Sequence, residues 1–453
     1  MKIIIVGGGK VGEYLCSDLS DENDVVLIES NPDILDYVMS NNDIMGVVGN
    51  GASYPILVEA GVSEADVFIS VTQKDELNII SSMIAKRMGA KYTIARVRNP
   101  EYFGHMEFVR RSLGIDLMLN PEYEAAMRIA RNLKYPSAID VRSFSANKAI
   151  MVQLLVKENS YLNGLKLMDF PKRAPKRVLI CFVERDDEIH IPDGNFVLRA
   201  GDRIHVTGNT SSLVKFYRSV GEPNQRIRSV FIIGGGRLTY YILQILTKQN
   251  LDIKVVEIDR DKARRLSEDF PEVIFINDDG TNRETLDEEN FTSYDACISL
   301  TGIDEENLIV AMYAKKTGIK KMIAKVNRTE LLDIVDPERI QTIVTPKKVV
   351  ADIIARVVRS RINSQHSNVI TLYRLAENRV EAAEFAVKFS SNVIDIPLKD
   401  LNTKKGILIA YIIRGEELII PKGDDMIKSG DRVIIISEAM YIEDIDDILN
   451  DEE

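Results

Sequence analysis

The feature that most constrains the fold is an internal duplication of the whole chain. An apolar run followed by three glycines opens the sequence as MKIIIVGGGKVGEYL and returns 227 residues later within VFIIGGGRLTYYIL. The match continues through DVFISVTQKDELNII and DACISLTGIDEENLI, and again through IPDGNFVLRAGDRIHVTG and IPKGDDMIKSGDRVIIIS. A repeat of this extent predicts two half-chains of about 225 residues, each containing a larger and a smaller unit.

Short β-branched runs alternate with helical patterns in each larger unit. In the first copy, strands are predicted at KIIIV, DVVLIE, GVVG, DVFISV and YTIARV, with helices between them. This alternation predicts a parallel sheet covered on both faces, which is a doubly wound, Rossmann-like α/β domain. The smaller unit has strand patterns around AIMVQLLV, RVLICFVER and DRIHVTG, and is predicted to be a compact α+β module.

Composition excludes several classes of protein. The formal net charge of −11 disfavours a general nucleic-acid binder, because attraction to phosphates requires a basic face. No run approaches the about 18 to 20 apolar residues that span a bilayer, and the N-terminus does not resemble a signal peptide. Any membrane role is therefore expected to come through a partner. The three cysteines lack CxxC spacing and the four histidines lack zinc-binding spacing, which predicts a cytoplasmic protein without disulfides or zinc.

The first glycine loop has the spacing of a dinucleotide-binding turn. Gly7, Gly9 and Gly12 form GxGxxG directly after a predicted strand and at the start of a predicted helix. The three glycines allow a tight turn, close approach of a pyrophosphate and close packing of helix on sheet, in that order. Glu29 ends the second strand, 17 residues after Gly12, where a carboxylate accepts hydrogen bonds from a ribose. The alternative is a doubly wound domain whose loop binds nothing.

The second loop departs from this pattern at one position. It keeps Gly234, Gly236 and Glu257, but Thr239 occupies the place of the third glycine. A Cβ atom there is expected to push the helix away from the strand and loosen the cradle, so the second site is either weakly occupied or degenerate.

Polar residues follow the next strand ends in both copies. Arg96 and Arg98 end the fifth strand, where a cation faces the phosphate end of the cleft or pairs with Asp75 or Glu76 at the surface. Asn50 and its counterpart Asp279 meet an adenine or cap a turn. Asp75 and Asn78 are favoured as first-turn helix residues without a ligand.

The residues that a dehydrogenase requires are not evident. Such an enzyme places a proton donor or acceptor beside the nicotinamide, and the small units show no His–Asp or Lys–Tyr arrangement. His190 and His205 lie in the first small unit and are not repeated in the second. A bound nucleotide is therefore expected to be sensed rather than consumed.

A helical stripe follows the second α/β unit. In PKKVVADIIARVVRSR, apolar residues recur at helical spacing. The stripe consists of Val349, Val350, Ile353, Ile354, Val357 and Val358. It fits either a helix that crosses to another subunit or one buried within a single subunit.

The combination of MKIIIVGGGKVGEYL, GNGAS, SVTQKDELNII, IARVRNPEY and the repeated GDR resembles the RCK family, also called KTN, which regulates potassium conductance. The two-copy arrangement is similar to the regulatory subunits of Trk potassium uptake systems and covers essentially the whole chain. The resemblance implies the order RCK_N, RCK_C, RCK_N, RCK_C, with boundaries predicted at 1–140, 141–223, 224–365 and 366–453.

The resemblance also implies a role and a site. NAD(H), ATP or ADP would change the shape of a homo-oligomer, a ring-like dimer of dimers, under a TrkH- or TrkG-type membrane subunit at the inner face of the cell membrane. The protein would be a regulator without catalytic or metal-binding residues. The first nucleotide site would contain Gly7, Gly8, Gly9, Lys10, Val11, Gly12, Glu29, Asn50, Gly51, Thr72, Gln73, Arg96 and Arg98. The second would contain Gly234, Gly235, Gly236, Arg237, Leu238, Glu257, Asp279, Thr301 and Lys325.

Two departures from the family pattern are Thr239 and Asn50, which stands where many relatives have Asp. Discrimination between nucleotides is expected at the far phosphate end, where Arg98 would close on a γ-phosphate but not on ADP. Duplication would let one copy sense the ligand while the other is mainly structural. The alternatives are an NAD-dependent oxidoreductase with an unrecognised active site and a scaffold that binds no ligand.

Overall fold

A computed structural model of the chain describes most of its residues. These are residues 1–144, 149–173, 178–220, 226–328, 340–366, 368–376, 379–438, 442 and 444–450. The boundary predicted between 223 and 224 lies outside the described residues.

The first α/β domain is a six-stranded parallel sheet in the order β3-β2-β1-β4-β5-β6. Its strands are β1 (Lys2–Val6), β2 (Asp24–Glu29), β3 (Met45–Val48), β4 (Val67–Ser70), β5 (Tyr92–Arg96) and β6 (Leu117–Leu119). Its helices are α1 (Lys10–Leu19), α2 (Pro32–Asn41), α3 (Tyr54–Glu59), α4 (Asp75–Met88), α5 (Pro100–Phe103), α6 (Met106–Leu113) and α7 (Pro121–Leu133). The predicted doubly wound architecture is confirmed, and β6, a three-residue strand of Leu and Met without β-branched residues, was not predicted.

The first small domain is an antiparallel sheet in the order β10-β9-β11-β8-β7. Its strands are β7 (Asp140–Phe144), β8 (Ala149–Leu155), β9 (Val178–Arg185), β10 (Glu188–His190) and β11 (Arg203–Gly208). Its helices are α8 (Phe170–Arg173) and α9 (Thr210–Ser219). The predicted α+β character is therefore confirmed.

The second half repeats both architectures. Its first sheet has the order β14-β13-β12-β15-β16-β17, and its second has the order β18-β19-β22-β20-β21. The strands of the first sheet are β12 (Ser229–Ile233), β13 (Asp252–Val256), β14 (Ile274–Ile276), β15 (Ala296–Ser299), β16 (Lys321–Lys325) and β17 (Thr342–Val344). Its helices are α10 (Arg237–Leu246), α11 (Arg260–Asp269), α12 (Arg283–Glu288), α13 (Asp304–Lys316) and α14 (Pro346–His366). The strands of the second sheet are β18 (Val369–Leu375), β19 (Val380–Ala386), β20 (Ile407–Arg414), β21 (Glu417–Ile419) and β22 (Arg432–Glu438).

The chain divides into two compact units that group domains of the same kind. The first unit holds the glycine-loop domains and consists of Met1–Ala130, Val230–Thr317 and Ile323–Val358. The second holds the small domains and consists of Arg131–Ser229, Gly318–Met322 and Arg359–Glu453. Each unit therefore combines segments from both halves of the sequence.

The second unit is built around side chains from both small sheets. Phe144, Met151 and Phe182 of the first sheet form one buried apolar cluster with Tyr411 and Ile434 of the second. Burial of large aromatic surface is the main stabilising contribution to such a core.

The repeated GDR motif has a structural role in these small domains. Asp202 receives two hydrogen bonds from Arg185, at 2.7 Å each, and Asp431 receives two from Arg414, at 2.9 and 2.7 Å. Bidentate pairs of this kind fix the geometry of both side chains. The aspartates also accept backbone N–H groups from Arg199 and Lys428, which closes the turn before each last strand.

Lys321, the first residue of β16, is fully buried in the second unit. Its ammonium group donates a hydrogen bond of 2.6 Å to the carbonyl oxygen of Ala138. Burial lowers the pKa of Lys321 from 10.5 to about 7, and the nearby charge of Asp140 opposes this shift.

Helix α14 carries the predicted apolar stripe. Val349, Val350, Ile354 and Val358 are buried within the chain, and Ile353 and Val357 are half-buried. This burial agrees with the alternative of a helix buried within one subunit, and a crossing to another subunit stays a prediction. Among the described residues, no helix has the length and apolar character needed to cross a membrane.

Candidate functional site

The first glycine loop joins β1 to α1 at the carboxyl edge of the sheet. Gly7 has φ +103°, a conformation that L side chains rarely adopt, and a Cβ atom there would lie 3.1 Å from Thr72 at the end of β4. At Gly12 a Cβ atom would lie only 1.9 Å from the carbonyl oxygen of Gly7. Glycine at both positions therefore lets this loop fold back closely against α1.

Gly9 marks the open part of this loop. It is the N-cap of α1, with φ −68° and ψ −178°, and no side chain caps the helix there. A Cβ atom at Gly9 would meet no atom within 4 Å. The first-turn N–H groups and the positive end of the helix dipole therefore face an open space, which is the arrangement that binds phosphate in this fold.

The flanking residues Lys10 and Val11 differ in what they offer a ligand. The ammonium group of Lys10 lies 3.3 Å from the carboxylate of Glu13, and half of its side chain is exposed. Val11 is buried, so only its backbone is available to a ligand.

Glu29 connects the end of β2 to the glycine loop. One carboxylate oxygen accepts the N–H of Gly8 at 2.6 Å, and the other accepts the N–H of Asn31 at 2.9 Å and the hydroxyl of Ser30 at 3.0 Å. Burial raises the pKa of Glu29, but these hydrogen bonds outweigh burial and lower the pKa below its ordinary value. Glu29 is therefore an ionised acceptor held beside the loop, as recognition of ribose hydroxyls requires.

The second glycine loop has nearly the same backbone as the first. Gly234 has φ +98°, and Gly236, the N-cap of α10, has φ −79° and ψ −176°. The N–H of Gly235 donates to Glu257, which also accepts the N–H of Asp259 at 2.8 Å. A Cβ atom at Gly236 would again meet nothing within 4 Å.

Thr239 is accommodated in this second loop by a hydrogen bond. Its hydroxyl donates to the carbonyl oxygen of Gly234, the atom equivalent to the one that a Cβ at Gly12 would strike. The N-cap backbone angles of the two loops are nearly the same, and the looser cradle expected for the second loop stays a prediction. Leu238, like Val11, is buried and offers only its backbone.

Buried asparagines hold the neighbouring strand ends together. Asn78 accepts the N–H of Thr72 at 2.8 Å and the hydroxyl of Ser70 at 2.9 Å, and donates to the carbonyl oxygens of Thr72 and Arg96. Asn307 makes the equivalent contacts in the second copy, with Ser299, Thr301 and Lys325. Each asparagine therefore joins the ends of two strands that carry predicted site residues. These contacts are all within the protein, in agreement with the prediction that Asn78 needs no ligand.

Arg96 and Arg98 lie at the end of β5 and point back to β4. Arg96 is buried and donates to the carbonyl oxygen of Thr72, while Arg98 donates to that of Gln73. The carboxylate of Asp75 accepts the backbone N–H of Arg98 at 2.8 Å and lies 3.7 Å from its guanidinium group. Burial and the charge of Arg98 lower the pKa of Arg96 to about 10.

Arg96 therefore remains cationic at neutral pH, bonded to Thr72, which lies against Gly7 of the glycine loop. The predicted pairing with Asp75 is present for Arg98. Glu76 instead accepts the hydroxyl of Tyr102 at 2.9 Å.

Lys325 takes the place of Arg96 in the second copy. Its ammonium group donates to the carbonyl oxygen of Leu300 at 3.1 Å, and burial lowers its pKa while the charges of Asp304 and Glu122 oppose that shift. Thr301 donates to the carbonyl oxygen of Ile303 at 3.1 Å and lies at the end of β15, against Gly234.

Asn50 and Asp279 cap turns, one of their two predicted roles. Asn50 accepts the N–H of Ala52 at 3.0 Å, and Asp279 accepts the N–H of Thr281 at 2.9 Å. The adjacent Gly51 packs on β1, where a Cβ atom would lie 2.2 Å from the side chain of Val6. The predicted residues of each site thus lie at the carboxyl edge of one sheet, linked by the contacts above.

Contacts between the two copies were not foreseen from the sequence. The Arg237 guanidinium of the second loop lies 3.9 Å from the carboxylate of Glu122 at the start of α7. Tyr241 of α10 donates a hydrogen bond of 3.0 Å to the carbonyl oxygen of Arg98. The repeat gives little indication that Glu122 contacts the second copy. NPEY at 120–123 aligns with TPKK at 345–348, so the glutamate is not repeated.

A histidine–carboxylate pair lies in the second unit. His205 Nε2 lies 2.6 Å from Glu184 Oε1, with the imidazole stacked on Phe182 at 3.7 Å between ring centres. Burial lowers the pKa of His205, although the hydrogen bond with Glu184 opposes this shift. Gln153 and Arg379 also contact Glu184, so this carboxylate is occupied by structural partners.

The three cysteines are buried with free thiols, and the residues that the structure describes include no group of three or more metal-ligating side chains.

Comparison with known proteins identifies related chains. The family model for the TrkA-N domain matches residues 3–121 and 230–346, and that for the TrkA-C domain matches residues 151–221 and 382–450. A Trk system potassium uptake protein TrkA homolog of Archaeoglobus fulgidus is 33% identical over 99% of this chain and 100% of its own length. The Trk system potassium uptake protein TrkA of Haemophilus influenzae is 28% identical over 98% of each chain.

Solved structures share the fold. The GsuK channel bound to NAD matches 97% of this chain and 77% of its own, with a TM-score of 0.62 and 17% identity. The GsuK RCK domain matches 97% of this chain and 92% of its own, with a TM-score of 0.61 and 17% identity. Since two copies of each matched domain alternate along nearly the full length, the chain belongs to the TrkA family, with TrkA-N and TrkA-C domains repeated in tandem.

Proposed function

We propose that this chain is the nucleotide-binding regulatory subunit of a Trk-type potassium uptake system. An adenine nucleotide, either NAD(H), ATP or ADP, binds at the first glycine loop. The bound nucleotide changes the packing of a homo-oligomer, a dimer of dimers, and thereby the conductance of a TrkH- or TrkG-type membrane subunit. The chain itself acts from the cytoplasm, at the inner face of the membrane, and catalyses no reaction.

The observation that carries the proposal is the open cradle at Gly9 beside an ionised Glu29. The first turn of α1, which no side chain caps, lies on one side of the cradle, and the carboxylate is fixed 2.6 Å from the neighbouring Gly8 N–H. Arg96 and Arg98 add positive charge at the adjacent strand end. Phosphate at the helix N-terminus and ribose at the acidic residue is the binding mode that this arrangement favours.

The names of the related proteins indicate the biological setting. Curated relatives that match the whole chain are named as Trk system potassium uptake proteins, and fold neighbours include the GsuK channel with NAD and with ADP. A regulator works through differential affinity, since a ligand that binds two conformations equally shifts neither. Nucleotides that share adenosine but differ at the phosphates can therefore favour different conformations of the protein.

The binding step is tested with Gly9→Asp and its matched variant Gly236→Asp. Both positions have extended backbone angles and open space, so an aspartate strains neither loop and occupies only the ligand cradle. Isothermal titration with ATP, ADP, NAD and NADH is expected to lose the tighter binding event in Gly9→Asp. Unchanged binding in a Gly9→Asp protein with normal melting would refute the site.

The regulatory step is tested by potassium uptake into vesicles that contain the membrane subunit. Addition of the wild-type chain is expected to make uptake depend on the nucleotide present, and addition of Gly9→Asp is expected to remove that dependence. Potassium uptake that does not depend on the nucleotide with either protein would favour a scaffold that binds no ligand. Steady oxidation of NADH by a panel of small carbonyl compounds would favour an oxidoreductase.

A further inference from the structure

Tyr241 connects the second glycine loop to the phosphate end of the first site. It is fully buried and lies on α10, about one helical turn after Arg237, the first residue of that helix. Its hydroxyl donates to the carbonyl oxygen of Arg98 at 3.0 Å and accepts the side-chain amide of Asn120 at 2.8 Å. A residue of the second copy therefore holds the backbone of a residue in the first nucleotide site.

Both backbone groups of Arg98 are fixed by buried partners. The N–H donates to Asp75 of its own domain at 2.8 Å, whereas the carbonyl oxygen accepts from Tyr241 and also from Asn120 at 3.3 Å. Asn120 is itself held, because its side-chain oxygen accepts the N–H of Tyr123 at 3.0 Å. The ring of Tyr123 packs edge-to-face on that of Tyr241, with centres 6.0 Å apart. A displacement of Tyr241 must therefore displace Arg98 or break buried hydrogen bonds.

Helix α10 is suited to transmit such a displacement. Its N-terminal turn carries the backbone N–H groups that face the open space at Gly236, and Tyr241 lies in the following turn. Most of the remaining helix is buried, including Ile242, Leu243 and Leu246, so α10 moves as a body. A phosphate drawn to the second loop acts on the same short helix that holds Arg98.

The equivalent tyrosine of the first copy makes a different contact. Tyr14, 227 residues before Tyr241, donates to the side-chain carboxylate of Asp352 on α14 at 3.0 Å. Asp352 is a helix side chain, whereas the partner of Tyr241 is the main chain of a strand end. The two tyrosines therefore make different contacts with the other copy. Only the contact of Tyr241 reaches a predicted nucleotide-site residue, and it connects the second loop with the first site.

We propose that Tyr241 is a positioning residue through which a nucleotide phosphate at the second glycine loop changes the preference of the first site between ATP and ADP. The inference rests on the proposed function, which places a nucleotide at the first loop, and adds a nucleotide at the second. The occupied second loop shifts α10, Tyr241 moves the Arg98 main chain, and the Arg98 guanidinium changes its reach toward a terminal phosphate.

The test is a double-mutant cycle on the full-length protein, with the ratio of ATP to ADP affinity at the first site as the readout. Gly236→Asp, which fills the second cradle, is expected to change this ratio by about fivefold or more in the wild-type background. In a Tyr241→Phe background the same substitution is expected to leave the ratio unchanged. In a Tyr14→Phe background, the matched control, the change is expected to persist.

The outcomes separate the inference from the proposed function. Wild-type protein that binds no nucleotide overturns the proposed function itself. Two outcomes overturn the inference alone, provided that the wild-type protein binds nucleotide at the first site. Either Gly236→Asp leaves the ratio of ATP to ADP affinity unchanged, or it changes this ratio equally in the Tyr241→Phe background. A merely structural Tyr241 would lower the melting temperature and leave the coupling intact.

A second variant covers the case in which Tyr241→Phe fails to fold. Asn120→Ser keeps an oxygen that can cap the N–H of Tyr123 but removes the amide donor to Tyr241 and Arg98. Coupling that is reduced in Asn120→Ser supports the route through the Arg98 carbonyl, and coupling of wild-type size in this variant contradicts it.

Discussion

Replacing Lys321 with methionine is expected to stabilise the protein at pH 7 and to change how its stability depends on pH. The ammonium group is fully buried, and its pKa falls from 10.5 to about 7, mainly because burial disfavours the charged form. Between these two pH values the unfolded chain binds a proton at this side chain that the folded chain does not bind. The destabilising contribution of Lys321 should therefore fall as the pH rises from about 7 to about 10, and the full cost applies below about pH 7.

The magnitude follows from the size of this shift. Each pKa unit corresponds to about 1.4 kcal/mol, so the shift sets an upper limit of about 5 kcal/mol on the cost at pH 7. Methionine removes this cost but leaves the carbonyl oxygen of Ala138 without the 2.6 Å hydrogen bond, a loss of about 1 to 3 kcal/mol. A net gain of about 2 kcal/mol at pH 7 is expected, and the difference between the two proteins should change by about 2 kcal/mol between pH 7 and pH 9.

Urea denaturation followed by far-ultraviolet circular dichroism measures this difference, since the chain has no tryptophan to report by fluorescence. The exposed neighbour Lys320 provides the control, and Lys320→Met should leave the pH dependence unchanged. A constant difference between wild type and Lys321→Met from pH 7 to pH 9 would refute the reasoning.

Three further substitutions test the glycine loops and the strand end beside them. Arg98→Ala should lower the ratio of ATP to ADP affinity by about tenfold, the effect of losing one hydrogen bond from a charged donor, and an unchanged ratio in titration calorimetry would remove Arg98 from the mechanism. Gly12→Ala should destabilise the protein by at least about 2 kcal/mol, because its Cβ would lie 1.9 Å from the Gly7 carbonyl oxygen. Thr239→Ala should cost only about 1 kcal/mol, the value of its hydroxyl bond to Gly234, and equal melting shifts for the two variants would count against this account.

Much of the first site could be predicted from the order of residues. A glycine loop between strand and helix, and an acidic residue at the end of the next strand, are close in space in any doubly wound sheet. For this reason the hydrogen bond from Gly8 to Glu29, and the contact of Gly7 with Thr72, follow from topology. The proximity of these residues was predictable because parallel strands bring their carboxyl ends to one edge.

Other features depend on distances that spacing does not encode. At Thr239 the sequence shows that the third glycine is missing, but it does not show the hydrogen bond from the threonine hydroxyl to Gly234, which depends on the side-chain rotamer. His205 and Glu184 are 21 residues apart and meet only because β9 and β11 pair side by side. Strand β6 is too short for a periodic pattern.

The duplication, the alternation of strand and helix, and the place of the glycine loops were determined by the sequence alone, because each depends on contacts between nearby residues and on the period of the apolar pattern. Only the tertiary structure decided that like domains of the two halves group together, and that Tyr241 of one copy holds Arg98 of the other. Contacts between residues more than a hundred positions apart depend on the complementarity of folded surfaces, which no local pattern records.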